Sequence, residues 1–315
     1  MDDPVKILKS LFNAAVRAAH PEECLPPYLP QNPEGRSIVI GAGKASAAMA
    51  ETIEHHWPGP LQGLVITRYG YLRPCKDIEI VEAGHPVPDE AGLVASKRIM
   101  DLLENPQEDD LVLCLISGGG SSLLTLPAKG IKFTEKQMVN EKLLKCGAPI
   151  SEINTVRNHL SAVKGGRLGQ ACGPAKLHTL IISDVPGDDP SLVASGPTIP
   201  NLSTASDAMT ILEKYDLHIP SSILEHLIHK IEEFESIPSN GTHSIIASAR
   251  SSLDAAASCA KSQGIDVTLL GEDVEGESRD VGQYQAKSIL RENKSKHVYL
   301  SGGETTVTVE GEGRG

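Results

Sequence analysis

Three turns in this sequence join glycine to groups that hold or move charge, and each follows a short apolar run. The first is Gly41-Ala42-Gly43-Lys44-Ala45-Ser46. Its glycines let backbone N–H groups approach an anion, and Lys44 adds a cation. It is not a P-loop, because Ile38 and Ala45 stand at the decisive positions, and Ser46 replaces the third glycine of the dinucleotide fingerprint. The second turn is Ser117-Gly118-Gly119-Gly120-Ser121-Ser122, whose N–H groups and hydroxyls suit phosphate oxygens. An esterase elbow is excluded, since Leu123 stands where G-x-S-x-G needs its second glycine. The third is Asp184-Val185-Pro186-Gly187-Asp188-Asp189. A carboxylate there can hold Mg²⁺ beside phosphates or take a proton from an attacking hydroxyl. Asx-turn chemistry around Pro186-Gly187 accounts for the same residues without catalysis.

Between the second and third turns lies a basic island, Asn154-Thr155-Val156-Arg157-Asn158-His159-Leu160-Ser161-Ala162-Val163-Lys164-Gly165-Gly166-Arg167. Its cations and paired glycine suit capture of a phosphate or carboxylate, and a solvated helix face is the plainer account. Asn158, Lys164 and Arg167 are its candidate ligand-binding residues. His85, in the rigid loop Gly84–Asp89, is a further candidate, although such histidines more often serve structure. Ser301-Gly302-Gly303-Glu304-Thr305-Thr306 is another glycine pair with a carboxylate at a strand end.

The elements that position these turns alternate strand and helix. Ser37–Ile40, Leu64–Thr67, Ile78–Val81, Leu111–Ile116 and Thr179–Ser183 read as strands, and Leu111–Ile116 is apolar throughout, as suits a parallel sheet covered on both faces. Val5–His20, Lys44–His56, Asp89–Leu103, Thr134–Cys146, Ser151–His159, Thr204–Tyr215 and Ser221–Phe234 read as helices. Ser236–Thr242 is polar with Pro and Gly and reads as a linker. Beyond it the alternation restarts with strands at Ser244–Ala247, Asp266–Leu270, His297–Leu300 and Thr305–Val309. The pattern predicts an α/β protein with mostly parallel sheets and two domains, residues 1–236 and 243–315. In such sheets ligands bind outside the carboxyl ends of the strands, where the three turns fall.

Composition narrows the function. The 315 residues exceed the ~100–200 of one domain, and 40% apolar residues support a sizeable core. A net charge of −12 disfavours nucleic acid, whose backbone such a chain repels. No apolar run approaches the ~18 residues of a membrane span. The opening Met1-Asp2-Asp3 lacks the basic and apolar regions of a secretion signal. The cysteines have no C-x-x-C spacing, so free thiols in a reducing cytoplasm are expected rather than zinc or disulfides.

Taken in order, GAGKAS, AGHPVPDEAG, LISGGGSSLL, NTVRNHLSAVKGGRL, IISDVPGDDPSLVASGPT, EDVEGES and SGGETTVTV resemble the type-2 glycerate kinases, the family whose second domain is called MOFRL. The resemblance covers nearly the whole chain. It implies transfer of the ATP γ-phosphoryl group to D-glycerate, usually giving 2-phosphoglycerate, with Mg²⁺. It also implies a larger Rossmann-like, three-layer N-terminal domain, a smaller C-terminal α/β domain, and a cytoplasmic enzyme compatible with a homodimer. By this resemblance Lys44 is the essential lysine, and Ser117–Ser122 and Asn154–Arg167 line its cleft. The needs of phosphoryl transfer then assign Gly43 with Ser117–Ser122 to phosphates. Asp184, with Asp189, serves Mg²⁺ or the glycerate hydroxyl, and Lys164 or Arg167 pairs with the glycerate carboxylate or a phosphate. In the family the stretch at Gly311-Glu312-Gly313-Arg314-Gly315 continues into G-R-N-Q-E, whose arginine serves the active site. The resemblance thus predicts an incomplete second domain and little activity unless a partner completes it. Two alternatives stand beside it: an inactive nucleotide-binding or interaction form, and an NAD(P)H-dependent hydroxypyruvate reductase, an older label in this family. The missing third glycine of the Gly41 loop argues against the reductase.

Overall fold

The computed structural model describes residues 3–232, 241–292, 294–309 and 311. The strands are β1 (Ser37–Ala42), β2 (Gln62–Arg68), β3 (Ile78–Ala83), β4 (Leu111–Ser117), β5 (Lys176–Ile182), β6 (Gly241–Ala247), β7 (Asp266–Val274) and β8 (His297–Gly303). The helices are α1 (Pro4–Ala18), α2 (Pro21–Cys24), α3 (Ser46–His56), α4 (Glu90–Leu102), α5 (Gly120–Leu123), α6 (Phe133–Lys145), α7 (Ile150–His159), α8 (Arg167–Ala171), α9 (Ala205–Lys214), α10 (Ser221–Glu232), α11 (Ala249–Ser262) and α12 (Ser278–Glu292). Two compact units emerge: residues 28–181 with 190–244, and residues 1–27 with 182–189 and 245–315.

The larger unit is Rossmann-like, with its sheet in the order β3-β2-β1-β4-β5-β6. β1 pairs in parallel with β2 on one side and β4 on the other, and every residue of β1 and β4 is buried. That burial is why both read as unbroken apolar runs. The chain winds outward from β1 through β2 to β3, then returns to place β4 on the other side of β1. The topological switch point therefore lies between β1 and β4, where open α/β sheets bind ligands. A second cluster in this unit joins Val139 and Leu143 of α6, Ile153 and Val156 of α7, Ala208 and Leu212 of α9, and Ile223 and Leu227 of α10.

In the smaller unit α1 lays Ile7, Leu11 and Ala15 against Ala256, Cys259 and Ala260 of α11 and Val298 of β8. β7 and β8 pair in parallel from Asp266↔His297. This packing corrects the sequential division of the chain: the N-terminal helix belongs with the C-terminal residues because its apolar stripe is buried there. Thr305–Val309 is not a strand; it makes an isolated bridge, Thr306 to Glu277. Residues 236–240 of the expected linker and residues 312–315 lie outside the described residues.

Candidate active site

The site of the larger unit is built from the turns after β1 and β4. Gly41 and Gly43 have to be glycine there. A Cβ on Gly41 would stand 2.1 Å from the Leu115 carbonyl oxygen, and one on Gly43 would stand 2.0 Å from Ser117 Oγ. This close approach locks the two turns together. The Lys44 N–H donates to the Gly118 carbonyl at 2.8 Å and the Ala45 N–H to Ser117 Oγ at 3.0 Å. Ser46 Oγ donates to the Leu115 carbonyl at 3.0 Å and lies 3.2 Å from Ser117 Oγ.

These bonds correct the expectation for Ser117. Its side chain is buried and its hydroxyl ties one turn to the other, so it acts as a strut rather than a phosphate ligand. Gly119 takes the left-handed region at φ 82°, which favours glycine. A Cβ there would meet His85 Cδ2 and Nε2 at 2.9 Å and Lys44 Cγ at 3.2 Å, so both side chains lie over this glycine. Ser122 Oγ donates back to the Gly119 carbonyl at 3.0 Å. Ser121 Oγ pairs with Ser195 Oγ at 2.7 Å.

A cavity of about 330 Å³ opens beside this turn, lined by His85, Gly119, Ser121, Ser122 and Lys164 among others. That volume falls in the range of small-ligand sites. Lys164 is 1% exposed and its Nζ donates to the Ser121 carbonyl at 2.7 Å. Burial, and then repulsion from Lys136 and Arg157, pushes its ammonium well below the usual lysine range. The remaining candidates are placed elsewhere. Asn158 is buried on α7 outside the cavity lining. Arg167 donates from Nη1 to the carbonyls of Asn158 (2.8 Å) and Lys164 (3.1 Å) and lines a separate cavity of about 520 Å³ with His226 and Lys230. Asp184 and Asp189 sit on an exposed loop after β5 that groups with the smaller unit.

Residues not singled out from sequence also meet here. Gln137 and Asn140 of α6 and Arg157 of α7 line the cavity. Ser195 is fully buried at φ 62°, beside Ala194 at φ 53°, and such backbone is strained by about 1–3 kcal/mol per residue. The small residues of Ala194-Ser195-Gly196 were the available signal; Gln137 and Asn140 gave none, being ordinary helix residues by type.

Lys136 lies behind this wall, 2% exposed, its Nζ donating to the Leu126 carbonyl at 3.3 Å. Burial, then Arg157, lowers its pKa from 10.5 to about 7. Between those values the unfolded chain holds a proton that the native protein does not, so stability rises with pH across that window. The gain from this group is at most on the order of 5 kcal/mol. Lys136→Met is expected to flatten the rise, read as melting temperature from pH 6.5 to 9.5 in both proteins; parallel curves would count against it.

No group of three His, Cys, Asp or Glu converges among the described residues. A cation here would have to arrive with ligands of its own, as Mg²⁺ does when it keeps phosphates and waters and takes only one or two carboxylates.

Residues 7–228 match the family described as a domain of unknown function, DUF4147. A D-glycerate 2-kinase from Thermotoga maritima is 38% identical, with 100% of this chain and 78% of that protein covered. The crystal structure of a glycerate kinase from the same organism superposes with a TM-score of 0.89 at 36% identity, covering 98% of this chain and 76% of that one. The chain belongs to the glycerate kinase family. A relative from Agrobacterium vitis, 46% identical over 98% of this chain and 73% of its own, carries a provisional hydroxypyruvate reductase name. In this family member the loop that a reductase would need for its dinucleotide has Ser46 in place of glycine, with the hydroxyl bonded inward to Leu115.

Proposed function

We propose that this chain moves the γ-phosphoryl group of ATP to D-glycerate, giving 2-phosphoglycerate, at the turn between β1 and β4. The observation that carries this reading is the placement of Lys44 and His85 over Gly119, with His85, Gly119 and Lys164 lining one cavity. Phosphoryl transfer asks mainly for positioning and for charge against the equatorial oxygens. Lys44 serves the transferring group, and the N–H groups of Gly118–Gly120 serve phosphate oxygens. D-glycerate occupies the cavity, where Lys164 answers its negative charge. Mg²⁺ would arrive with the nucleotide and neutralise its phosphates, keeping waters as further ligands. Free thiols at every cysteine support a cytoplasmic setting. No helix among the described residues is long and apolar enough to cross a membrane. Homodimer formation is part of the proposal and is read by light scattering.

The test is ADP release from ATP·Mg²⁺ by the 315-residue chain with and without D-glycerate, with the product located by phosphorus NMR. Glycerate-dependent ADP and a 2-phosphate resonance are expected, and the rate measured also tests the low activity that the resemblance implies. NADH oxidation with hydroxypyruvate, without glycerate-dependent ADP, would replace this reading by the reductase. Calorimetric binding of ATP·Mg²⁺ without turnover would favour a nucleotide-binding form.

A further inference from the structure

The cavity wall gathers more positive charge than the fold neutralises. Arg157 lines it from α7, largely buried, and among the described residues its hydrogen bonding is a single long contact, Nε to Asn140 Oδ1 at 3.4 Å. Lys164 lines it beside Arg157 with Lys136 behind, and each disfavours the others' charge, so the two lysines hold their protons best once an anion arrives. Both lysines spend a hydrogen bond on a backbone carbonyl rather than on a carboxylate. Among the described residues, no acid forms an ion pair with any of the three. Two other titratable groups face the cavity: His85, and Glu141, which is 66% exposed and paired with Lys145. Buried cations without a counter-charge are costly, and the cost is offset when a ligand brings the anion.

We propose that Arg157 is the specificity-determining anchor of this cavity, gripping the carboxylate of a small hydroxy acid through its guanidinium fork while Lys164 and Lys136 supply the surrounding field. An arginine fork matches a carboxylate in a way a point charge does not. The carboxylate then lies on the α6–α7 wall and leaves the hydroxyl end toward Gly119, His85 and Lys44. The pocket accepts small monocarboxylates that carry a hydroxyl and rejects their neutral analogues, such as glyceramide. The orientation toward transfer rests on the kinase reading; the selection of a carboxylate does not.

The experiment titrates D-glycerate and glyceramide into the full chain without nucleotide, by calorimetry, and then measures kcat and KM with ATP·Mg²⁺. Wild type is expected to bind glycerate and not glyceramide. Arg157→Met is expected to weaken glycerate binding and raise its KM on the order of 10²-fold, leaving the KM for ATP unchanged, as loss of a charge-assisted hydrogen-bond pair implies. Arg157→Lys, which keeps charge and length, is expected to lose about tenfold and serves if the methionine variant does not fold. Unchanged glycerate affinity in either folded variant overturns the inference. Arginine-dependent glycerate binding without phosphorylation would sink the kinase reading and leave this inference standing; phosphorylation with an unmoved KM in the variants would do the reverse.

Discussion

Lys44→Ala is expected to lower kcat for glycerate phosphorylation by on the order of 10²–10³-fold, the usual loss when one preorganised charge is removed from a transition state. The fold spends much on holding this residue: its N–H is bonded to Gly118 and its stem lies over Gly119. Because the side chain supplies charge rather than shape, the melting temperature should barely move and glycerate should still bind. Lys44→Arg keeps the charge on a wider head and is expected to recover only part of the rate. Single-turnover kinetics on the purified chain checks both, and near wild-type turnover in the alanine variant would remove Lys44 from the mechanism.

Gly43→Ala is expected to be as damaging by a different route. At φ 152° the new methyl would stand 2.0 Å from Ser117 Oγ and 2.6 Å from the Ser117 carbonyl oxygen, and the second, a backbone contact, no rotamer can relieve. The two turns would have to part, at a cost of roughly 2–4 kcal/mol from backbone strain and overpacking. A shift of about 1 Å in the loop carrying Lys44 is enough for a loss near 10²-fold in rate. Urea titration and kcat measured on the same preparation separate the two effects. Ser117→Gly in the Gly43→Ala background removes the hydroxyl the methyl strikes, and it is expected to restore part of the stability. A double variant no better than the single one would place the clash on the carbonyl alone.

Ser117 and Gly119 show how far local sequence reaches. Both belong to a glycine-rich turn after an apolar run, and both looked equally suited to a phosphate. The pleat of β4 turns the Ser117 hydroxyl toward β1, where it bonds to Ala45, whereas Gly119 faces the cavity. Which way a hydroxyl points depends on the neighbouring strand, and that neighbour is distant in sequence. Arg167 fails for a related reason. It opens α8, and its guanidinium folds back onto the carbonyls of Asn158 and Lys164, whereas Arg157, within the same basic island, reaches the cavity. The island's charge was legible, but its division between two cavities was not.

The buried, unbroken apolar runs and the glycines that end them were determined by sequence alone, because a strand covered on both faces favours apolar residues at successive positions and a turn pressed against a neighbouring strand admits no side chain. Those two constraints were enough to announce an α/β sheet with anion-binding turns at its edge. The strand order that sets β1 beside β4, the docking of α1 on α11, the meeting of Arg157 and Lys164 with Gly119 around one cavity, and the pairing of Ser195 with Ser121 were decided by tertiary structure. These contacts join residues tens to hundreds of positions apart, and such pairings are chosen by the fit of whole buried surfaces, which no local pattern of residue types records.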